Sequence, residues 1–281
     1  MRTISSSSRK ANALTAIKSY AKFYNSEATE VQGESNIFNM VSSYYKAYSL
    51  DDYYPEDVLN NISDCNALKL IKNIISLLSD KTWKVEKGRI LPEDFYKQIV
   101  CKKANSFLGN VDKELIKYYY LQSAHIMKAA GIIKHVKGEI IVNLPSKLDI
   151  DIYLSLLKAF WNSVEWEEIF PSNIDMAKSL YRDRNIFKDI LLKETIVDVQ
   201  GIANRFSDLT GISNLAYISD EDNEFFTPEK IFTSFLDFYL LKWLEHFNLV
   251  KYQNGFGNDR VSFEVSGFAS EIFEIISCNN M

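Results

Sequence analysis

The spacing of apolar and polar residues along the chain predicts a mainly helical protein with a few short strands. The clearest stretch lies between residues 115 and 130, where apolar side chains recur with the period of an α-helix at Leu115, Tyr118, Tyr119, Ile126 and Ala130. Gly131 follows, where the end of a helix favours a residue that tolerates a positive φ. This stretch is therefore predicted to be a helix that ends at Gly131.

A β-hairpin is predicted directly after this helix. Ile132, Ile133 and Val136 form a short run of β-prone residues, and the run returns from Ile140 to Val142. The dipeptide Lys137-Gly138 between the two runs suits a tight two-residue turn. The sequence therefore predicts a helix followed by a small hairpin.

The same order of elements recurs in the second half of the chain. Thr227 is a favourable N-cap, and Pro228 occupies the first position of a helix that continues to Phe247. Asn248 can end that helix in the left-handed region, and strands are predicted from Leu249 to Tyr252 and from Val261 to Val265. A repeated supersecondary unit is strong evidence of fold because random periodicity seldom produces one.

The segment from Trp83 to Leu91 is interpreted as a shorter copy of this hairpin, since it also places a Lys-Gly turn between β-prone residues. Further helices are predicted over residues 66–78, 92–107, 148–161, 175–181, 185–193, 195–209 and 268–276. A short strand is predicted over residues 215–218.

These units resemble the winged helix-turn-helix family, in which a third helix is followed by a hairpin called the wing. The resemblance covers residues 93–160 and 185–276, and residues 83–91 show a weaker similarity to the hairpin. It implies a mainly α protein with small β-hairpin wings, organised as tandem winged-helix-like units after an N-terminal helical region. The predicted boundaries are residues 1–84, 85–165 and 172–281, with Pro171 marking the division between the halves.

The family resemblance leaves the function open. Members that bind DNA insert the third helix into the major groove and touch the backbone or minor groove with the wing. Other members are protein-interaction modules, so the fold does not set the function.

The distribution of charge separates the two units. The whole chain has a formal net charge of −5, but residues 85–150 carry 11 basic and 7 acidic side chains, whereas residues 151–226 carry 7 basic and 14 acidic ones. Residues 227–281 carry 4 basic and 7 acidic side chains. Binding to phosphates needs a concentrated basic surface, so only the first unit is a candidate for contacting nucleic acid.

The candidate nucleic-acid surface consists of residues on the helix and wing of the first unit. Lys113, Lys117 and Lys128 lie within about 60° of one another on a helical wheel, and His125 lies at their margin. Lys134 and Lys137 are predicted on the adjoining wing. The alternative interpretation is an ordinary solvated helix face.

The sequence contains no familiar catalytic signature. It has no phosphate-binding GxxxxGK[ST] loop, no GxGxxG, no HExxH and no GxSxG, and its three cysteines are far apart. The acidic stretch 220–224 has Phe225 where a calcium loop needs glycine. We therefore predict a protein that is not an enzyme and uses no cofactor or metal; a site built from scattered carboxylates is the remaining enzymatic alternative.

No apolar run reaches the ~18 residues that a membrane span requires, and the absence of CxxC pairs fits a reducing environment. No membrane contact and a cytoplasmic location are predicted. Residues 1–26 are basic and lack acidic side chains, so they fit a tail, an amphipathic helix or a targeting segment.

Two functional hypotheses remain nearly level. In the first, which ranks slightly ahead, the first unit binds double-stranded DNA, and the lysine stripe motivates it. In the second, the chain is a protein-interaction scaffold, either as a dimer or as a subunit of a bacterial multi-component assembly without nucleic-acid contact. The net acidity and the aromatic load of the chain motivate the second.

Overall fold

A computed structural model of the protein describes residues 62–101, 113–144, 148–193, 196–216, 227–253 and 262–277. This part of the chain is mainly helical and has two small antiparallel sheets, as predicted. The helices are α1 (Asn66–Ser79), α2 (Glu93–Cys101), α3 (Lys113–Ala129), α4 (Asp149–Asn162), α5 (Trp166–Ile169), α6 (Ile174–Arg182), α7 (Arg184–Leu191), α8 (Val199–Thr210), α9 (Pro228–Leu236), α10 (Lys242–His246) and α11 (Ala269–Ser277). The strands are β1 (Ile133–Val136), β2 (Glu139–Val142), β3 (Ile196–Asp198), β4 (Val250–Gln253) and β5 (Ser262–Val265).

In the first half, an extended segment after α1 pairs with the hairpin that follows α3. The Val85 N–H donates to the Gly138 carbonyl at 2.8 Å, and the Ile140 N–H donates to the Trp83 carbonyl at 3.1 Å. Lys84 therefore lies opposite Glu139 in an antiparallel bridge. The interpretation of this segment as a separate hairpin is wrong, because its partner is β2.

The second half has the same connectivity. After α7, β3 pairs with β5, and β5 pairs with β4, so the return strand of the hairpin is again the central strand. The prediction of a helix over residues 195–209 is wrong at its start, because residues 196–198 form β3. Asp198 then accepts a hydrogen bond from the Gly201 N–H at 3.1 Å and so caps α8.

Local sequence signals correctly located several chain reversals. Gly131 has φ +70°, and Asn248 has φ +56° after the helix that precedes β4. Lys137 and Gly138 have φ +52° and +80°, as a two-residue hairpin turn requires. The Thr227 hydroxyl accepts from the Lys230 N–H at 3.3 Å, with Pro228 in the first turn. These predictions are confirmed.

The chain between α8 and α10 differs from the prediction in two places. Residues Ile212–Leu215 form a 3-10 helix, so the strand predicted from Leu215 is wrong where it is described, and its remaining residues 217–218 lie outside the described part. Between α9 and α10, one turn of π-helix covers Asp237–Leu241 and interrupts the helix that was predicted to continue from Pro228 to Phe247.

Buried aromatic rings join the two halves in one hydrophobic core. Phe160 of α4 is fully buried and lies 5.8 Å from the Trp243 ring of α10 and 5.6 Å from the Phe247 ring. The Tyr153 hydroxyl of α4 also donates to the Phe247 carbonyl at 2.8 Å. The core therefore continues across the boundary predicted from Pro171. None of the described helices has the length and apolar character needed to cross a membrane.

Candidate functional site

Helix α3, the predicted DNA-contacting helix, lies in the interior of the protein. Every side chain from Leu115 to Met127 is buried or half-buried. The helix packs against α1, α2, α4 and α5. Between Leu115 and Met127 it has no extended solvent-exposed face, because neighbouring elements partly cover Lys117 and His125 as well as the apolar side chains.

A second set of contacts joins α3 to α10, the end of the corresponding helix in the second half. The Trp243 indole N–H donates to the Gln122 side-chain oxygen at 3.0 Å, and both side chains are buried. The Tyr119 ring meets the His246 ring edge-on at a centroid distance of 4.8 Å. The equivalent helices of the two halves thus pack against each other.

The six residues predicted to contact nucleic acid do not share one open surface. Lys113 begins α3, but its side chain is outside the described part of the chain. Lys117 is half-buried and already has an interaction partner. The His125 ring lies 3.0 Å from the Glu168 carboxylate of α5. Burial lowers the pKa of His125, although Glu168 opposes that shift. Of the five whose side chains are described, Lys128, Lys134 and Lys137 are exposed.

The outer face of the first sheet is an open surface of the first unit. The register places Val136 opposite Glu139 and Lys134 opposite Ile141, and the bridge adds Lys84 beside Glu139. Because directly paired residues of an antiparallel sheet share a face, these five side chains lie on one surface, which we call the first wing face. Ile133, whose side chain points to the opposite face, is buried.

The first wing face combines exposed apolar and positively charged groups. Val136 is 43% exposed and Ile141 is 46% exposed. Lys84 and Lys134 are exposed, as is Lys137 in the turn, and none of these lysines forms an ion pair with another described residue. The surface therefore has an apolar centre flanked by exposed lysines, one of which, Lys84, lies across from Glu139.

The sheet of the second half lacks this combination. Lys251 occupies the position of Lys134, but the register places it opposite Glu264 rather than an isoleucine. On the inner side, Tyr252 donates a hydrogen bond to Asp237. Lys251 of the second sheet is therefore electrostatically compensated by its cross-strand neighbour, as Lys84 is by Glu139, whereas Lys134 of the first sheet is not.

Four members of the first wing face were not predicted as site residues: Lys84, Val136, Glu139 and Ile141. The unbroken apolar run from Ile140 to Val142 does not reveal which of its residues faces outward. The useful signal was the two-residue turn at Lys137-Gly138, because it fixes the register and thus pairs Lys134 with Ile141.

His246 is the most unusual ionisable group in the interior. Its side chain is buried between the rings of Tyr119 and Trp243, and neither ring nitrogen has a hydrogen-bond partner among the described residues. Burial, with a smaller contribution from the positive charge of Lys242, lowers the pKa of His246 from 6.5 to about 3. The ring is therefore neutral at physiological pH.

An open groove of about 410 Å³ lies between α6 and the turn after α8. Its two cations are already paired, Arg182 with Asp183 at 2.6 Å and Lys178 with Glu167 at 3.4 Å. Within the described ranges, no group of three or more His, Cys, Asp or Glu residues could hold a metal ion. The groove therefore offers less distinctive chemistry than the first wing face.

Comparison of the chain with protein-family models, with curated proteins and with solved structures found no match.

Proposed function

We propose that the protein is a non-enzymatic interaction scaffold built from two winged-helix-like units, which binds a partner protein through the first wing face. The observation that carries this proposal is the burial of α3 against α10. It covers the surface that a DNA-binding member of the family would use and leaves the wing accessible.

The shared connectivity of the two halves supports the winged-helix assignment. Each half runs from a helix to a short strand, then through two helices to a hairpin whose return strand pairs with the first strand. This order places a wing directly after a third helix, as in the family that the sequence resembles. Two halves with the same non-local pairing are better explained by a repeated unit than by coincidence.

The position of α3 argues against recognition of DNA through the major groove. A helix that reads the major groove must present several side chains to the edges of the bases. On α3, Gln122 is bonded to Trp243, and His125 is bonded to Glu168. Insertion of this helix into DNA would require the separation of two halves that share one core.

The composition of the first wing face favours a protein partner. Protein interfaces commonly have an apolar centre surrounded by a polar rim, and contiguous exposed apolar groups on a soluble protein often mark such sites. Val136 and Ile141 supply the centre, while Lys84 and Lys134 lie beside them. Glu139 adds a negative charge that would weaken binding to a phosphate chain.

Nucleic acid is the second candidate partner, and the exposure of Lys128, Lys134 and Lys137 favours it. Three lysines without ion-pair partners can release counterions from a phosphate backbone. Such binding would use the wing and the end of α3 rather than the length of the helix, and it would depend little on base sequence.

Site-specific photo-crosslinking in intact cells tests the proposed function. A benzophenone amino acid in place of Ile141 should give a covalent adduct with one discrete protein, because Ile141 lies at the centre of the first wing face. The matched control is Leu209, which is 65% exposed on α8 and outside that face. The same probe at Leu209 should not give that adduct.

A duplex-DNA titration by fluorescence anisotropy at low salt separates the two candidates. The scaffold proposal is contradicted if Ile141 gives no specific adduct while duplex binding is measurable and is lost in Lys134→Glu/Lys137→Glu. Binding that instead depends on Lys117 and Lys128 would restore the role predicted for α3. The circular dichroism spectrum of each variant should match that of the wild-type protein, which controls for folding.

A further inference from the structure

The edge of β1 offers little backbone for a further strand to bond. The Asn143 N–H donates to the Ile132 carbonyl at 2.7 Å. Because bonded and non-bonded pairs alternate along an antiparallel ladder, the backbone groups of Ile133 and His135 point away from β2. Ile133 is buried, with 1% of its surface exposed, so His135 is the outward-pointing residue of β1 that a partner could reach.

The opposite edge of the first sheet is equally short. The Trp83 carbonyl and the Val85 N–H both bond to β2, so Lys84 is the residue of this segment whose backbone groups point outward. Addition of a strand requires a continuous row of outward-pointing groups. With a single accessible residue on each described edge, the first wing presents its face to a partner rather than an edge.

The apolar residues of the first wing face are spaced like one turn of an α-helix. Val136 lies opposite Glu139, and Ile141 follows two positions later on β2, so Val136 and Ile141 are diagonal neighbours, about 7–8 Å apart. Apolar side chains one turn apart on a helix are about 5–6 Å apart and can contact both. Three strands span about 10 Å, which is close to the width of a helix. One helix therefore covers the face.

The charges of the face lie on either side of this apolar diagonal. Lys134 and Glu139 occupy the other two corners of the same four-residue group. Glu139 is offset by Lys84, which lies directly across from it on the neighbouring segment. Lys134 lies opposite Ile141 and has no acidic cross-strand neighbour. One flank of the diagonal is therefore positively charged, and the other is balanced.

We propose that the first wing face binds an amphipathic α-helix of a partner protein, and that this helix has an acidic flank. The apolar stripe of the helix covers Val136 and Ile141, and carboxylates along one side of the stripe meet Lys134. The other side of the stripe is neutral, because Glu139 and Lys84 balance each other there. Apolar anchors one turn apart are a recurring means of helix recognition. This inference rests on the proposed function and names the chemistry of the partner.

A second copy of the chain fits the face less well. The face presents five side chains, whereas a stable interface of standard size uses about 20–30 residues on each side. Two copies face to face would also bring together the same excess of lysine over glutamate and repel each other. A nucleic acid supplies negative charge but no apolar stripe for Val136 and Ile141. A helix with an acidic flank supplies both.

Three synthetic peptides of about 18 residues, or five helical turns, test the inference by fluorescence anisotropy with the whole chain. The first places leucines one turn apart, glutamates along one flank of that stripe and alanine elsewhere. The second has the same residues in an order that spreads the leucines around the helix, and the third has lysine in place of glutamate. The first should bind saturably and gain helicity in the circular dichroism difference spectrum. The other two should bind about tenfold more weakly or worse.

Substitutions on the two sheets locate the bound peptide. Lys134→Glu should weaken binding of the first peptide roughly fivefold to tenfold, because an attraction becomes a repulsion. Ile141→Ser should weaken it about tenfold or more, because the apolar contact is lost. The control is Lys251→Glu, at the equivalent position of the second sheet, which should change the affinity by less than about twofold. Circular dichroism of the free variants verifies that each is folded.

The inference is overturned if the first peptide does not bind, if the reordered peptide binds as tightly, or if Lys251→Glu weakens binding as much as Lys134→Glu. Duplex DNA that binds the face more tightly than the first peptide would assign the face to nucleic acid instead. A dimer that Ile141→Ser abolishes would assign it to a second copy. Either assignment also overturns the inference.

The crosslinking experiment separates failure of this inference from failure of the proposed function. A specific crosslink from Ile141 to another protein, together with a failed peptide test, would leave the scaffold function standing and remove only the helical, acidic partner. Loss of that crosslink would contradict the function itself, whatever the peptides show.

Discussion

Replacing Phe160 with alanine should lower the free energy of unfolding by about 3–5 kcal/mol, the cost usual for removing a fully buried phenylalanine from a well-packed core. Phe160 has no exposed surface. Its ring contacts a set of aromatic side chains drawn from both halves of the chain: Trp161, Trp166, Phe170, Trp243 and Phe247. The alanine variant therefore loses packing on both sides of the predicted boundary.

Phe238 supplies the matched control for this prediction, because it is also a phenylalanine but is 48% exposed in the π-helical turn. Phe238→Ala should change the free energy of unfolding by about 0.5 kcal/mol or less, as is usual for surface substitutions. Urea denaturation followed by far-UV circular dichroism measures both variants. Equal costs for Phe160→Ala and Phe238→Ala would show that Phe160 is not at the centre of the core.

Acidification from pH 7 to pH 5 should destabilise the folded protein by about 2 kcal/mol through His246 alone. The buried ring has its pKa lowered from 6.5 to about 3. Below pH 6.5 the unfolded chain therefore binds a proton at His246 that the folded protein does not bind. The unfolded state is stabilised as the pH falls, and this loss of stability continues until the pH approaches 3.

His246→Leu should remove most of this pH dependence. Leucine is neutral at every pH, and the substitution breaks no hydrogen bond to a described residue, since neither ring nitrogen has one. The matched control is His125→Gln, because the pKa of His125 is also lowered but its ring is partly exposed and bonded to Glu168. Urea midpoints at pH 7 and pH 5 provide the measurement. A wild-type protein with equal midpoints, or a His246→Leu variant with an undiminished difference, would contradict the burial of a neutral His246.

The parts of the fold that depend on local chemistry were predictable from the sequence. Gly131 and Asn248 end helices because their backbones adopt positive φ at low cost. Thr227 and Pro228 begin a helix because the threonine hydroxyl satisfies a free N–H and proline needs none. In each case the decisive interaction lies within a few residues of the signal.

The errors concern partners that are distant in the sequence. Residues 83–85 have the composition of a hairpin strand, but their partner is β2, more than fifty residues later. Residues 196–198 precede a periodic helix and were assigned to it, whereas pairing with β5 holds them as a strand. Local propensity is a weak guide where tertiary contacts decide the conformation.

The candidate site was predictable only in part for the same reason. Lys117 and His125 lie on a polar stripe that a single helix would expose, but contacts from other parts of the fold cover that stripe; Glu168 of α5 bonds His125. Lys134 and Lys137 were correctly placed on a hairpin because a two-residue turn is a local signal. Exposure of Ile141 was not predicted, because its two neighbours are equally apolar and only the register set by the turn places it opposite Lys134.

A double-mutant cycle between Gln122 and Trp243 tests most directly the claim that α3 is covered by the second half. Trp243→Phe and Gln122→Met each leave one buried polar group of the 3.0 Å hydrogen bond unsatisfied, whereas the double variant leaves neither. We predict that the summed costs of the single variants exceed the cost of the double variant by about 1 kcal/mol or more. Costs that add within about 0.3 kcal/mol would show that the two side chains do not meet and would contradict the packing of α3 against α10.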